Sequence, residues 1–256
     1  MKYIFTQQKE LARKLNSPDF ILLLDFDLTL SPLAKNPAKA ILPDDTRILL
    51  KKLSNYIRIA VITGRTIKDI KKRIKLNNIT YIGNHGLEYE VEGITKSTPL
   101  LIVSKKGLKD IKKKFLNIKR KYSGVFVEDK KLALALHYRL LLPQDKFEFM
   151  TDIKKIKIEL KKYGLRGILY KKTLEVRPEA KEDKGTASLF ILKKFGNPKQ
   201  VIYIGDGKTD EDAFRALPQG VTIRVGKSKH SLAKYYVGNT KEVKKFLVWL
   251  LSIGNI

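Results

Sequence analysis

The sequence predicts an α/β fold, a doubly wound parallel sheet interrupted by a smaller α+β domain. Three observations carry that expectation. Continuous aliphatic runs at residues 20–24 and 57–62 read as strands buried on both faces. Helical stripes alternate with them at the spacing of βα units. Between residues 89 and 177 the strand signals change to apolar–polar alternation, the texture of a sheet with one covered face. A chain of 256 residues that is 43% hydrophobic and 31% charged supports a large core plus an insert, and excludes disorder over most of its length.

Taken in order, the strand at residues 20–24 ends abruptly in acids, and Asp44 or Asp45 then caps a helix that places Ile48, Leu49 and Leu53 on one side. Residues 79–82 make a third strand after that at 57–62. Far downstream come a helix over 184–195, a strand over 201–204, a helix over 210–217 and a strand over 221–225. A last helix begins near Thr240 and buries Val243, Phe246, Leu247 and Leu250, with Trp249 read as core. The expected division is therefore 1–88 with 178–256 as the core and 89–177 as the insert. Within the insert, Leu108, Ile111, Phe115, Ile118 and Tyr122 form one helical stripe; Phe147, Met150, Ile153, Ile156, Leu160 and Tyr163 form another. Two alternating strands, 131–139 and 173–177, point their apolar residues at those helices and leave His137, Arg139, Glu175 and Arg177 on the open face.

Composition narrows the chemistry. The sequence has no cysteine and three histidines, which excludes disulfides and thiolate sites and leaves oxygen as the donor for any metal. Lys+Arg 53 against Asp+Glu 26 gives +27. The lysines are spread along the chain, so the charge reads as a solvated surface, with no specific nucleic-acid partner expected. Residues 1–15 contain no apolar signal core and no stretch approaches a membrane span, so the expected setting is cytoplasmic, without a membrane partner.

The chemistry-bearing residues fall at strand ends. Asp25 and Asp27 close the first strand, Thr63 the second, and Asp206 to Asp212 the strand at 201–204; Lys184 opens a helix. Singly, each has an ordinary structural reading: a solvated strand end, a helix cap with acids in its first turn, a surface lysine. Together, three parallel strands deliver carboxylates, a hydroxyl and an amine to one sheet edge. That set suits phosphoryl transfer, in which acids hold Mg²⁺ while the hydroxyl, the ammonium and loop N–H groups neutralise phosphoryl oxygens.

On these motifs residues 21–250 resemble the haloacid dehalogenase superfamily, a Rossmann-like fold, and within it the trehalose-6-phosphate phosphatase family. The finer matches are Gly64-Arg65, Gly83-Asn84-His85-Gly86, Glu128-Asp129-Lys130, Leu136-His137-Tyr138-Arg139, Leu174-Glu175-Val176-Arg177-Pro178, Asp183-Lys184-Gly185 and Thr209 to Phe214. Leu28 replaces the usual glycine of the first motif, and Gly207 an acidic residue. The resemblance implies a sugar-phosphate substrate, trehalose 6-phosphate, with any trehalose-phosphate synthase a separate protein. It implies that Asp25 attacks phosphorus, Asp27 donates and then accepts a proton, and Thr63 and Lys184 bind the phosphoryl group. Mg²⁺ is then expected on Asp25, the Asp27 backbone carbonyl and Asp206, supported by Asp210. Arg65, Asn84, His85, Lys130, Arg139 and Glu175 are the expected substrate contacts, although His85 could equally satisfy loop carbonyls. Two other readings stay open: a phosphatase of another sugar or polyol phosphate, and a basic nucleic-acid-binding or inactive scaffold on the same fold.

Overall fold

The computed structural model describes residues 1–15, 19–33, 40–91, 93–129, 132–170 and 172–253. In chain order these form β1 (Lys2–Tyr3), α1 (Gln8–Lys14), β2 (Phe20–Leu24), α2 (Asp44–Leu53), β3 (Arg58–Ile62), α3 (Ile67–Ile74), β4 (Thr80–Gly83), β5 (Glu88–Val91) and β6 (Ile94–Ser97). The insert follows with α4 (Pro99–Lys121), β7 (Phe126–Asp129), β8 (Leu134–His137), α5 (Lys146–Leu160), β9 (Leu165–Tyr170) and β10 (Thr173–Pro178). The chain then continues through α6 (Lys184–Lys194), β11 (Gln200–Gly205), α7 (Asp210–Ala216), β12 (Val221–Val225), β13 (Tyr235–Val237) and α8 (Thr240–Ile253).

Two compact units result, Met1–Lys96 with Glu182–Ile256, and Ser97–Lys181. The first is built on a sheet of order β1-β13-β12-β11-β2-β3-β4-β5-β6. Strand β2 lies at its middle, parallel to both β11 and β3, and every one of its residues is buried. Alternate residues serve opposite cores. Leu22, Leu24, Ile59 and Val61 pack with residues of α1, α2, α3 and α8, whereas Ile21, Leu23, Ala60 and Ile62 pack with residues of α6 and α7. This two-sided cover is why these strands read as unbroken aliphatic runs.

The boundary of the insert differs from the expected 89 and 177. Strand β5 runs antiparallel to β4, pairing Tyr81 with Glu90, and β6 extends the same large sheet. Its buried acids explain the misleading alternation: Glu88 accepts the Ile67 N–H at 3.0 Å, and Glu90 binds Lys71 Nζ at 2.6 Å. Strand alternation here records buried polar pairing and not an open sheet face.

The second unit is a four-stranded antiparallel sheet of order β7-β8-β10-β9. Helices α4 and α5 share a core with Leu134, Leu136, Leu174 and Val176 of its covered face. Thr98 caps α4 by accepting the Leu101 N–H, and Gly107 gives α4 a face with no side chain where Tyr163 packs. Two helical expectations need correction. Phe147 is 87% exposed and Phe149 takes its place in the core, because the buried row runs Phe149, Ile153, Ile156, Leu160. In α2, Ile48 is 58% exposed while Leu49, Leu50 and Leu53 are buried; Pro43 is the N-cap and both aspartates sit in the first turn, favourably for the helix dipole. Among the described residues no helix is long and apolar enough to cross a membrane.

Candidate active site

The parallel register of β11, β2 and β3 aligns their C-terminal ends, with Ile204 beside Leu24 and Leu24 beside Val61. The residues just beyond them continue the ladder: Asp25 N–H donates to Ile204 O at 2.9 Å and Thr63 N–H to Ile82 O at 2.9 Å. Asp25, Thr63, Lys184 and Asp210 are all buried there, and Asp206 is half-buried.

Lys184 organises the carboxylates. It opens α6, behind the Asp183–Thr186 capping box, where a cation opposes the helix dipole. Its Nζ donates to Asp25 Oδ1 at 2.6 Å and to Asp210 Oδ1 at 2.8 Å, and these ion pairs outweigh the dipole. A Cβ on Gly185 would stand 2.5 Å from the Asp212 carbonyl oxygen, so glycine is what lets the starts of α6 and α7 approach. Asp210 is further held by the Tyr203 hydroxyl at 2.7 Å and the Gly207 N–H at 2.9 Å. Asp25 Oδ2 receives a longer bond, 3.3 Å, from the Thr29 hydroxyl.

Burial raises the Asp25 carboxyl; the Lys184 charge opposes this and the Asp210 charge adds to it. Burial works against the Lys184 ammonium, but attraction to Asp25 and Asp210 prevails and holds it protonated. Burial and then Asp210 raise Asp206 as well, with Lys184 and Arg224 in opposition. Tyr203 is driven far above its ordinary range by burial and the neighbouring acids, which keeps it a donor. Oxygens of Asp25, Asp206 and Asp210 lie within 4.8 Å of one another. Three converging carboxylates exceed the one ammonium among them, and hard oxygen donors in that number fit a divalent cation of the Mg²⁺ type.

A second cluster surrounds Thr63. The Arg65 N–H donates to Thr63 Oγ1 at 3.2 Å, the Asn84 N–H to Arg65 O at 2.8 Å and the His85 N–H to Thr63 O at 3.0 Å. Asn84 and His85 both have positive φ, 51° and 57°, and Asn84 Nδ2 is buried without a hydrogen-bond partner among the described residues. The His85 ring covers Gly64, where a Cβ would meet Nε2 at 2.5 Å. Arg65 itself is directed at carboxylates, donating to Asp27 and to Asp69.

The remaining expected contacts lie in the second unit. Arg139 falls in a turn beyond β8, not within the strand, and lines a recess with His137 and Thr173. Glu175 is on β10, 4.0 Å from Arg177. His137 links Glu128, at 3.1 Å from Nε2, to Thr173, at 3.0 Å from Nδ1, a structural tie across three strands. Lys130 lies outside the described residues. Sequence reasoning did not single out Tyr203 or Asp69. Tyr203 was the more visible of the two, a tyrosine inside an aliphatic run three residues before Asp206.

The family model of the trehalose-phosphatases matches residues 23–242. The chain belongs to the trehalose-phosphatase family. It is 33% identical to trehalose-phosphate phosphatase B of Arabidopsis thaliana over 95% of this chain and 69% of that protein. With trehalose 6-phosphate phosphatase RA3 of Zea mays it shares 30% over 89% of this chain and 68% of the other. In fold it is similar to the Aspergillus fumigatus trehalose-6-phosphate phosphatase, with a TM-score of 0.70, 24% identity and coverage of 96% and 97% of the two chains. The protein is thus a phosphatase of this family with its haloacid dehalogenase fold.

Proposed function

We propose that this trehalose-phosphatase hydrolyses trehalose 6-phosphate to trehalose and inorganic phosphate through an aspartyl-phosphate on Asp25. The observation that carries the reading is the Lys184 bridge between Asp25 and Asp210 at the aligned ends of β2 and β11. A buried ammonium beside a buried carboxylate lowers the repulsion between that carboxylate and an incoming phosphate dianion.

In the first half-reaction an Asp25 oxygen bonds to phosphorus as the bond from phosphorus to the sugar oxygen breaks. The electron pair leaves with that oxygen, which takes a proton from Asp27. In the second, water gives its proton to Asp27 and bonds to phosphorus, and the Asp25 carboxylate departs with its electron pair. Thr63 and Lys184 hold the transferring group throughout. Asp25, Asp206 and Asp210, with the Asp27 backbone carbonyl, are the residues that would hold Mg²⁺, which when bound draws charge from the phosphoryl oxygens. Arg139 and Glu175 are proposed to hydrogen-bond the sugar.

The test is phosphate release by purified protein from a panel of sugar phosphates, before and after EDTA, with Mg²⁺ restored. Turnover of trehalose 6-phosphate well above that of the other substrates, abolished by EDTA and recovered with Mg²⁺, is expected. Preference for a different sugar or polyol phosphate would overturn the substrate, and full activity after exhaustive chelation the metal.

A further inference from the structure

Arg65 follows Thr63 and Gly64 at the end of β3, where the sequence leads one to expect a substrate contact. Its guanidinium is instead committed to carboxylates. Nε donates to Asp27 Oδ2 at 2.8 Å and Nη2 to Asp27 Oδ1 at 2.6 Å, while Nη1 donates to Asp69 Oδ2 at 2.8 Å. A two-bond fork sets the plane of a carboxylate as well as its place. That matters for Asp27, whose side chain is 44% exposed and has little packing to hold its rotamer.

The fork is itself anchored. The Arg65 guanidinium lies 5.5 Å from the centre of the buried Phe26 ring, and Asp69 stands in the first turn of α3 with its N–H on the Thr66 cap. Arg73, one turn further along α3, grips the same carboxylate through Nε and Nη2, each at 3.0 Å. Asp69 is therefore a fixed post on a helix, neither a loop residue nor a free surface acid.

We infer that Asp69 is a positioning residue for the proton transfers of Asp27: it fixes Arg65, and Arg65 sets the place and plane of the Asp27 carboxyl group. The inference rests on the proposed role of Asp27. On a substrate whose leaving group needs no proton, the first half-reaction makes no call on Asp27, while the second still needs it to take the proton of the attacking water. On such a substrate loss of Asp69 then slows breakdown of the aspartyl-phosphate more than its formation.

That asymmetry has a kinetic signature. In a double-displacement reaction kcat/KM reports the first half and a slowed second half lowers kcat and KM together. With 4-nitrophenyl phosphate, whose leaving group needs no proton, Asp69→Ala should show a stopped-flow burst of nitrophenolate approaching one per enzyme. Its steady-state kcat should fall about tenfold or more with kcat/KM within about twofold of wild type. Asp69→Glu, which keeps a carboxylate, should recover most of kcat. Lys71→Gln, on the same helix, which breaks the ion pair to Glu90 and leaves Asp69 untouched, should lower Tm without producing the burst. If Asp69→Ala does not fold, Asp69→Asn is read in the same way.

Equal falls in kcat and kcat/KM without a burst, or unchanged kcat, overturn the inference while leaving the phosphatase reading intact. A burst that survives Asp25→Asn overturns both.

Discussion

Lys184 Nζ lies 2.6 Å from Asp25 Oδ1, although the residues are 159 positions apart and both are almost wholly buried. The same ammonium meets Asp210 at 2.8 Å, and Asp206 completes the cluster. In the metal-free protein the site thus holds an excess of negative charge, and the sign of a substitution's effect on stability depends on which charge it removes.

Asp25→Asn removes one of the mutually repelling carboxylates and leaves Lys184 paired with Asp210, so Tm should hold or rise while phosphate release falls by at least about three orders of magnitude. Lys184→Met removes the cation that bridges Asp25 and Asp210 and should lose both activity and about 3 kcal/mol or more of stability. Thermal melts in EDTA beside a phosphate assay decide this; a large drop in Tm for Asp25→Asn would contradict the charge argument.

The proposed sugar contacts make a separate expectation. Arg139→Ala and Glu175→Ala should each lower kcat/KM for trehalose 6-phosphate by roughly tenfold or more, the size expected for losing a charged hydrogen-bonding partner. Hydrolysis of a small aryl phosphate should change much less. Parallel losses on both substrates would assign these residues to folding of the Ser97–Lys181 unit.

Leu28 occupies the left-handed region at φ 59° and is 39% exposed, so its side chain gains little from packing. That conformation costs a leucine about 1–2 kcal/mol, against about 0.5–1 kcal/mol that glycine loses through the freedom of its unfolded chain. Leu28→Gly should therefore raise stability by on the order of 0.5 kcal/mol, a Tm rise of about 1–2 °C, with kcat preserved. Differential scanning calorimetry measures it, and a fall in Tm would show that Leu28 makes contacts worth more than its strain.

Asp69 also predicts a pH dependence. Burial raises its carboxyl, but hydrogen bonds from Arg73 and Arg65 prevail and lower it from 3.8 to about 2. Because the folded value lies below the unfolded one, the stabilisation is complete above about pH 4 and is lost as pH falls toward 2. Discounted for solvent screening, it amounts to about 1 kcal/mol. Denaturant titrations of wild type and Asp69→Asn should differ by that much at pH 6 and converge near pH 2; a gap independent of pH would remove the electrostatic explanation.

Much of this was legible because it is local. The run Phe20–Leu24 ends in Asp25 and the stripe Val243, Phe246, Leu247, Leu250 recurs at helical spacing, and both are found where periodicity puts them. What could not be read depends on partners distant in the chain. Glu88 and Glu90 look like solvent-facing strand positions until α3 supplies the Ile67 N–H and Lys71. Tyr203 looks like core until register sets its hydroxyl on Asp210. Phe147 and Phe149 fit a helical stripe about equally well by composition, and only the packing of α5 against α4 and the sheet decides which is buried.

The central place of β2 has a cost during synthesis. Its neighbour β3 is made soon after it, but β11, which covers its other edge, is made only after the whole Ser97–Lys181 unit. Until then the ribosome-bound chain carries an aliphatic strand with an unpaired edge, the kind of surface through which nascent chains stick to one another. The excess of basic over acidic residues is of little use to the buried site, yet it runs along the chain, so the part already made carries positive charge that repels other nascent chains during that interval. The lysines scattered over every segment protect the unfinished molecule as well as solvating the finished one.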